Sequence, residues 1–242
     1  MDFGILGIAT SGMRAQQTQV DAVGHNLANL QTTGFRAIRP DLVAAAPQAG
    51  VEVGAVLQPD VGGPTLMTNS PLDLALPPGV YLAVQLPNGQ TGLSRTGNLR
   101  VGNDGRLQAG DFPLVGNIRL APTDSSPSVD ATGQVTVPAG NGPLVGQRVV
   151  GKLPLVTVAR PEGLSPQGNG IWMATATSGT GTPFTATAAA PVVPGAVNGS
   201  NVDVIQEMTH LVRAQRAYQI NAQMVHVWDE LASQTVQDLG RG

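Results

Sequence analysis

Cysteine is absent from the 242 residues. Disulfides, thiolate metal sites and cysteine nucleophiles are thereby excluded. Lysine occurs once, at Lys152, so the basic residues are almost all arginine and form no tract. Charged residues make up only 12% and aromatics 3%, and the net charge is −3. Nothing in that balance points to nucleic acid or an acidic membrane surface as a partner. No run reaches the ~18 apolar residues of a membrane span, so no membrane insertion is expected. The opening residues, MDFGILGIATSGMRAQQ, lack a basic n-region, a long apolar stretch and a small-residue cleavage site. Conventional secretion is not expected; export by a route that reads no cleavable signal stays open. Glycine and proline, in contrast, make up 50 residues. That is about a fifth of the chain, against a usual ~12%. Such a composition suits short strands joined by many turns.

The pattern is not uniform along the chain. Residues 1–33 carry apolar or small side chains at Leu6, Ala9, Met13, Val20, Val23, Leu27 and Leu30 which, with Gln16 filling the gap after Met13, alternate three and four apart. This is a heptad seam. Gly4, Gly7, Gly12 and Gly24 weaken the helix, each by ~1 kcal/mol against alanine. The helix therefore needs a packing partner. Residues 200–239 repeat the rhythm at Val204, Met208, Leu211, Gln215, Tyr218, Ala222 and Val225, and Trp228, Leu231 and Leu239 extend the apolar face. Ser200 or Asn201 is the expected cap, Asp203 and Glu207 suit the positive end of the dipole, and Gly240 and Gly242 end the helix. Two heptad helices at opposite ends of one chain are expected to pair.

The middle reads as β. Asn88-Gly89 within VYLAVQLPNGQTGLSR is a hairpin signal. Asp104-Gly105 and Gly133 mark two further turns, RVVGKLPLVTVA (148–159) is the longest strand candidate, and NGIWMATAT (169–177) is another. The fold class expected is α+β and multi-domain: terminal helices paired as a coiled coil, with an all-β domain inserted between them. The divisions expected are 1–36 with 200–242 as a discontinuous helical domain, 37–70 as an extended connector, 71–177 as the β domain, and 178–199 as an extended return linker.

No catalytic constellation is present. GQRVVGKL (146–153) imitates a phosphate-binding loop but ends in Leu153 and Pro154, inside a β pattern. His25, His210 and His226 make no compact ligand pair, so no metal is expected. No serine sits in a G-x-S-x-G elbow, and Asp and Glu are scattered. A cofactor is not expected. The NGS at 198–200 matches a glycosylation sequon by letters alone. Both helices are rich in Gln, Asn and Arg and contain no lysine, so the Glu–Lys pairs of a solvated helix are missing. Amide-rich faces suit contact with several neighbouring helices.

NLANLQTTGFR (26–36) closely resembles the N-L-A-N-x-x-T-x-G-F-K/R signature of the flagellar rod and hook family of axial proteins. The matching residues are Asn26, Leu27, Ala28, Asn29, Thr32, Gly34, Phe35 and Arg36. SNVDVIQEMTHLVRAQRAYQINAQMV (200–225) resembles that family's closing helix through Ser200, Asn201, Val202, Glu207, Gln215, Arg216, Ala217, Tyr218 and Asn221. NSPLDLAL (69–76) and LSRTGNLRVGNDGRLQAGDFPLVG (93–116) are similar to its central segments, so the resemblance covers nearly the whole chain. The length and RAQRAYQIN suggest a rod subunit of the distal class. A proximal rod subunit or a hook-type protein is the alternative.

The resemblance implies a building block, not an enzyme; a wall-remodelling enzyme is the remote alternative. It implies export through the flagellar type III apparatus without cleavage, and helical self-assembly into a hollow shaft in the periplasm. The implied partners are other copies, neighbouring rod and hook subunits, the export apparatus and the bushing rings. The coiled-coil seam is expected to run through Leu6, Met13, Val20, Val23 and Leu30, and through Met208, Leu211 and Val225. Asn26 and Asn29 are expected to cap or cross-link the helix end, Gly34 to turn left-handed, and Phe35 to anchor the connector.

Overall fold

The computed structural model describes residues 3–45, 50–58, 61–116, 118–124, 126–139, 146–187 and 190–239. The chain divides into two compact units. One comprises residues 1–30, 37–58 and 202–242, the other residues 31–36 and 59–201.

In the first unit two long helices pair: α1 (Phe3–Ala28) and α2 (Val204–Leu239). They run antiparallel. A Cβ on Gly12 would meet the Asn221 amide at 2.7 Å, while Ala22 and Val23 share a cavity with Glu207 and His210. Gly12 thus lets the two helices approach closely, and the small side chains of Ala9, Ala15, Ala22 and Ala214 are buried in this unit. At 36 residues against 26, α2 is longer by ~15 Å, so its last turns run past the described start of α1. Gly240 and Gly242, expected to end α2, lie outside the described residues.

The segment expected as an extended connector is extended locally but folds back on itself. Strands β1 (Arg39–Ala44) and β2 (Val51–Leu57) pair antiparallel, from Arg39 opposite Leu57 to Ala44 opposite Val51. The hairpin packs on α1. Gly50, at φ +86°, lies against Ser11, whose hydroxyl accepts the Val51 N–H at 3.2 Å.

The second unit is all β. Its largest sheet is antiparallel and six-stranded, in the order 165–168, 171–173, 91–94, 80–85, 155–157, 182–183. Asn88-Gly89 closes its central hairpin, with Gly89 at φ +81°. Gly105 and Gly133, at φ +77° and +79°, occupy the two other expected turns. Residues 80–84 are buried on both faces of the strand: Val80, Leu82 and Val84 join the main core with Leu74, Leu107 and Val135, while Tyr81 packs with Leu93, Val158 and Trp172.

Two expectations change here. RVVGKLPLVTVA is two strands, Gln147–Lys152 and Leu155–Thr157, in different sheets. Pro154 has no N–H for a ladder and divides them. Within 178–199, expected as an extended return linker, short segments pair with other strands. Thr182–Pro183 joins the large sheet, Val193–Pro194 pairs with Leu74–Ala75, and Ala196–Asn198 pairs with Thr65–Met67.

Candidate assembly surface

The end of α1 is closed by its two asparagines, in different ways. Asn26 is buried, and its amide makes a two-way bond with the backbone of Ile38: Nδ2 donates to the carbonyl at 3.0 Å and Oδ1 accepts the N–H at 2.8 Å. The returning chain is thereby pinned to the helix in register. Asn29 donates to the His25 carbonyl at 2.9 Å. Short bonds from Asn29 N–H to Asn26 and from Leu30 N–H to Leu27 tighten the last turn. Leu27 is half-buried and Ala28 exposed.

In the second unit, the chain entering and the chain leaving are joined. The Gly34 N–H donates to the Asn198 carbonyl at 2.7 Å, and the Asn201 N–H to the Phe35 carbonyl at 3.3 Å. Gly34 has φ +71°, the left-handed conformation expected, and a Cβ there would lie 2.6 Å from the Arg95 carbonyl oxygen. Thr32 closes the turn by accepting the Phe35 N–H. Phe35 is half-buried. Asn198 is buried and bonds the Leu76 backbone with both ends of its amide.

Arg36 is buried and donates to the Tyr81 hydroxyl at 2.9 Å. Its guanidinium lies 5.4 Å from the Tyr81 ring centre, and that of Arg95 lies 5.6 Å from the same ring. Arg95 also donates to the carbonyls of Val80 and Pro77. Trp172 meets Tyr81 edge-on at 6.2 Å. This tyrosine gripped by two cations is invisible in local sequence, because its members come from positions 36, 81 and 95. Each contact of this kind contributes about 0.5–2 kcal/mol.

At the start of α2 the cap is Asp203, not Ser200 or Asn201. Its carboxylate accepts the N–H groups of Ile205 and Gln206 at 2.9 and 3.2 Å. Asn201 instead donates to the Val61 carbonyl, Ser200 is half-buried and Val202 is buried.

The seam on α2 is rotated from the expected one. Leu211 and Val225 lie on the covered side, with Glu207, Ala214, Ala217, Asn221 and Trp228. Met208 is 55% exposed, and Gln215, Arg216 and Tyr218 are exposed too. On α1, Val23 is buried and Leu6, Met13 and Val20 are half-buried, whereas Leu30 lies beyond the helix end and is 37% exposed.

That rotation leaves a second apolar stripe on α2. Ile205, Met208, Val212, Ile220, Met224, Val227 and Leu231 are all exposed, Ile205 by 79%. At 100° per residue they lie broadly opposite the covered row. Isolated exposed apolar residues are ordinary, but a row along one helix face marks an interaction surface.

The described residues carry no group of three His, Cys, Asp or Glu able to hold a metal ion, and no helix long and apolar enough to cross a membrane. His25 and His226 are exposed and His210 is half-buried. GQRVVGKL holds a strand rather than a phosphate loop. Among the described residues, two carboxyls with lowered pKa serve turns. Asp124 is lowered by the Ala121 N–H and then by Arg148. At Asp130 burial pushes the carboxyl up, but bonds from the Thr132 hydroxyl and the N–H groups of Gln134, Thr132 and Gly133 outweigh it.

Comparison with known proteins places both terminal motifs in matched segments. Residues 6–36 match the model of the flagella basal body rod protein family, and residues 193–238 that of the flagellar basal body rod FlgEFG protein C-terminal. The chain is 30% identical over 263 residues to flagellar basal-body rod protein FlgG of Caulobacter vibrioides, covering 96% of this chain and 98% of the relative. It is 31% identical over 257 residues to FlgG of Agrobacterium fabrum, covering 94% and 96%. To flagellar basal-body rod protein FlgF of Salmonella typhimurium it is 28% identical over 240 residues, covering 92% and 94%.

Proposed function

Because the chain belongs to the flagellar basal-body rod protein family, whose members are structural and not catalytic, we propose that it is a subunit of the rod. Copies polymerise helically into a hollow shaft that transmits torque and encloses the export channel. The segments 1–36 and 200–242 form the polymerisation domain. The partners are other copies, neighbouring rod and hook subunits, the type III export apparatus and the bushing rings. The location is the periplasm-spanning rod, reached without a cleaved signal peptide.

The observation that carries this reading is the exposed apolar stripe of α2. Its seven side chains are about half exposed, so covering what remains offers roughly 6–12 kcal/mol. Association costs about 4–15 kcal/mol, so the stripe drives assembly together with further contacts shared among several neighbours. Contacts between unlike faces do not close, and repetition gives a helical filament.

Within the family we assign the chain to the distal class. The RAQRAYQIN segment supports that placement; the proximal and hook-type readings are the alternatives. Electron microscopy of isolated basal bodies carrying a tagged copy tests both levels. Label along the outer length of the rod supports the distal assignment. Label near the membrane supports the proximal one, and label absent from the rod contradicts the rod reading itself.

A further inference from the structure

The first unit contains a buried carboxylate with one unpartnered oxygen. Glu207 is 3% exposed, and its Oε2 has no hydrogen-bond partner. It lines a cavity of about 280 Å³ together with Gln19, Asn26, Ile38 and, facing it with titratable or charged groups, Arg39, His210 and Arg213. The first turn of α2 lends Glu207 a fraction of a positive charge, and Arg39, His210 and Arg213 line the same cavity, yet among the described residues Glu207 makes no ion pair.

The same helix contains a cation with the opposite difficulty. Met208, Val212, Arg216, Ile220 and Met224 form one row at four-residue spacing, and all five are exposed. Arg216 sits at the centre of this apolar row. No acidic residue occurs among its helix neighbours from Val212 to Ile220, and among the described residues it has no ion pair. Any partner that covers the row also removes Arg216 from water and must supply an anion.

We propose that Arg216 of a second copy of this chain enters the Glu207 cavity. The inference rests on the rod reading and specifies one of its contacts. Glu207 lies on the covered row of α2 and Arg216 on the broadly opposite one. The contact joins unlike faces, so each copy keeps one cavity and one arginine free for the next, as a filament requires. Charge complementarity fixes the register, while the apolar row around Arg216 excludes water from the pair.

The test compares fibre formation by the full chain with Glu207→Gln, Arg216→Gln and both together. Each single change is expected to raise the critical concentration about tenfold or more. The double variant should be no worse than the singles, because both remove one interaction. The Glu207→Gln monomer should melt at the same temperature or higher, since a buried carboxylate oxygen without a hydrogen-bond partner is gone. Exchanging the charges, Glu207→Arg with Arg216→Glu, should restore part of the assembly that either exchange alone abolishes. Three results overturn the contact: Glu207→Gln assembling like the wild type, additive losses in the double variant, or a lower melting temperature for the Glu207→Gln monomer. The last would show that Arg39, His210 or Arg213 of the same chain fills the cavity. Wild-type chain that forms no fibres would overturn the rod reading, and the contact with it.

Discussion

The two units satisfy their apolar residues to different degrees. In the β unit, Leu74, Leu82, Val84, Leu107, Val135 and Val137 are all buried, and the strand from Val80 is covered on both faces. In the helical unit the buried residues are mostly small, and large side chains such as Ile205, Ile220 and Val227 face water. The β unit is a finished fold. The helical unit has one seam filled from within and one left for a partner. On the proposed reading, stability of the subunit and growth of the polymer are carried by different residues.

The sharpest way to break this comparison is to remove residues 205–242. Assembly should be lost entirely while the β unit retains a cooperative melt. Fibres from the truncated chain would contradict the division. Next in size is Gly34→Val, which forces a β-branched residue to φ +71° and sets its Cβ 2.6 Å from the Arg95 carbonyl oxygen. A loss of several kcal/mol in the β unit is expected by denaturant titration. Leu82→Ala should cost the β unit about 2–5 kcal/mol. Ile220→Ala on the open stripe should change monomer stability by only about 0.5 kcal/mol, yet impair assembly. Equal effects of these two on monomer stability would erase the contrast. Asp203→Ala should cost about 1 kcal/mol in the helical unit through loss of the cap.

The smallest effect is one of pH. The Asp130 carboxyl is lowered from 3.8, so the stability it contributes is complete above that value. It fades as the pH falls through the lower, folded-state value. Asp130→Asn should flatten the acid limb of the β-unit melting curve slightly and leave assembly at neutral pH unchanged.

Much of the fold was legible because its signals are local. Heptad spacing marks both helices, and Asn88-Gly89 marks the central hairpin. The pairing of the helices followed from each needing a partner. The rotation of the α2 seam was not legible, because α2 carries two apolar rows and periodicity cannot say which is filled by the same chain. Met208 belongs to the open row. Glu207, read as a dipole residue, is instead the buried member of a cavity. Asp203 competes with Ser200 and Asn201 for the cap, and geometry decides among them. The hairpin from Arg39 to Leu57 depends on pairing between strands of low polarity, and the Arg36–Tyr81–Arg95 cluster on side chains far apart in sequence. Pro154 was the one missed sign that a local rule could have read.

In an assembled rod, neighbouring copies should cover the open row of α2. Since the chain has no cysteine, Ile220→Cys gives a single reporter, and Gln90→Cys on the exposed hairpin turn of the β unit gives its control. Maleimide labelling of both variants, as monomers and as assembled rods, reads that cover directly. Ile220→Cys should react readily in the monomer and be strongly protected in rods, while Gln90→Cys stays reactive in both. Equal labelling of Ile220→Cys in monomer and rod would mean that the row stays open to water.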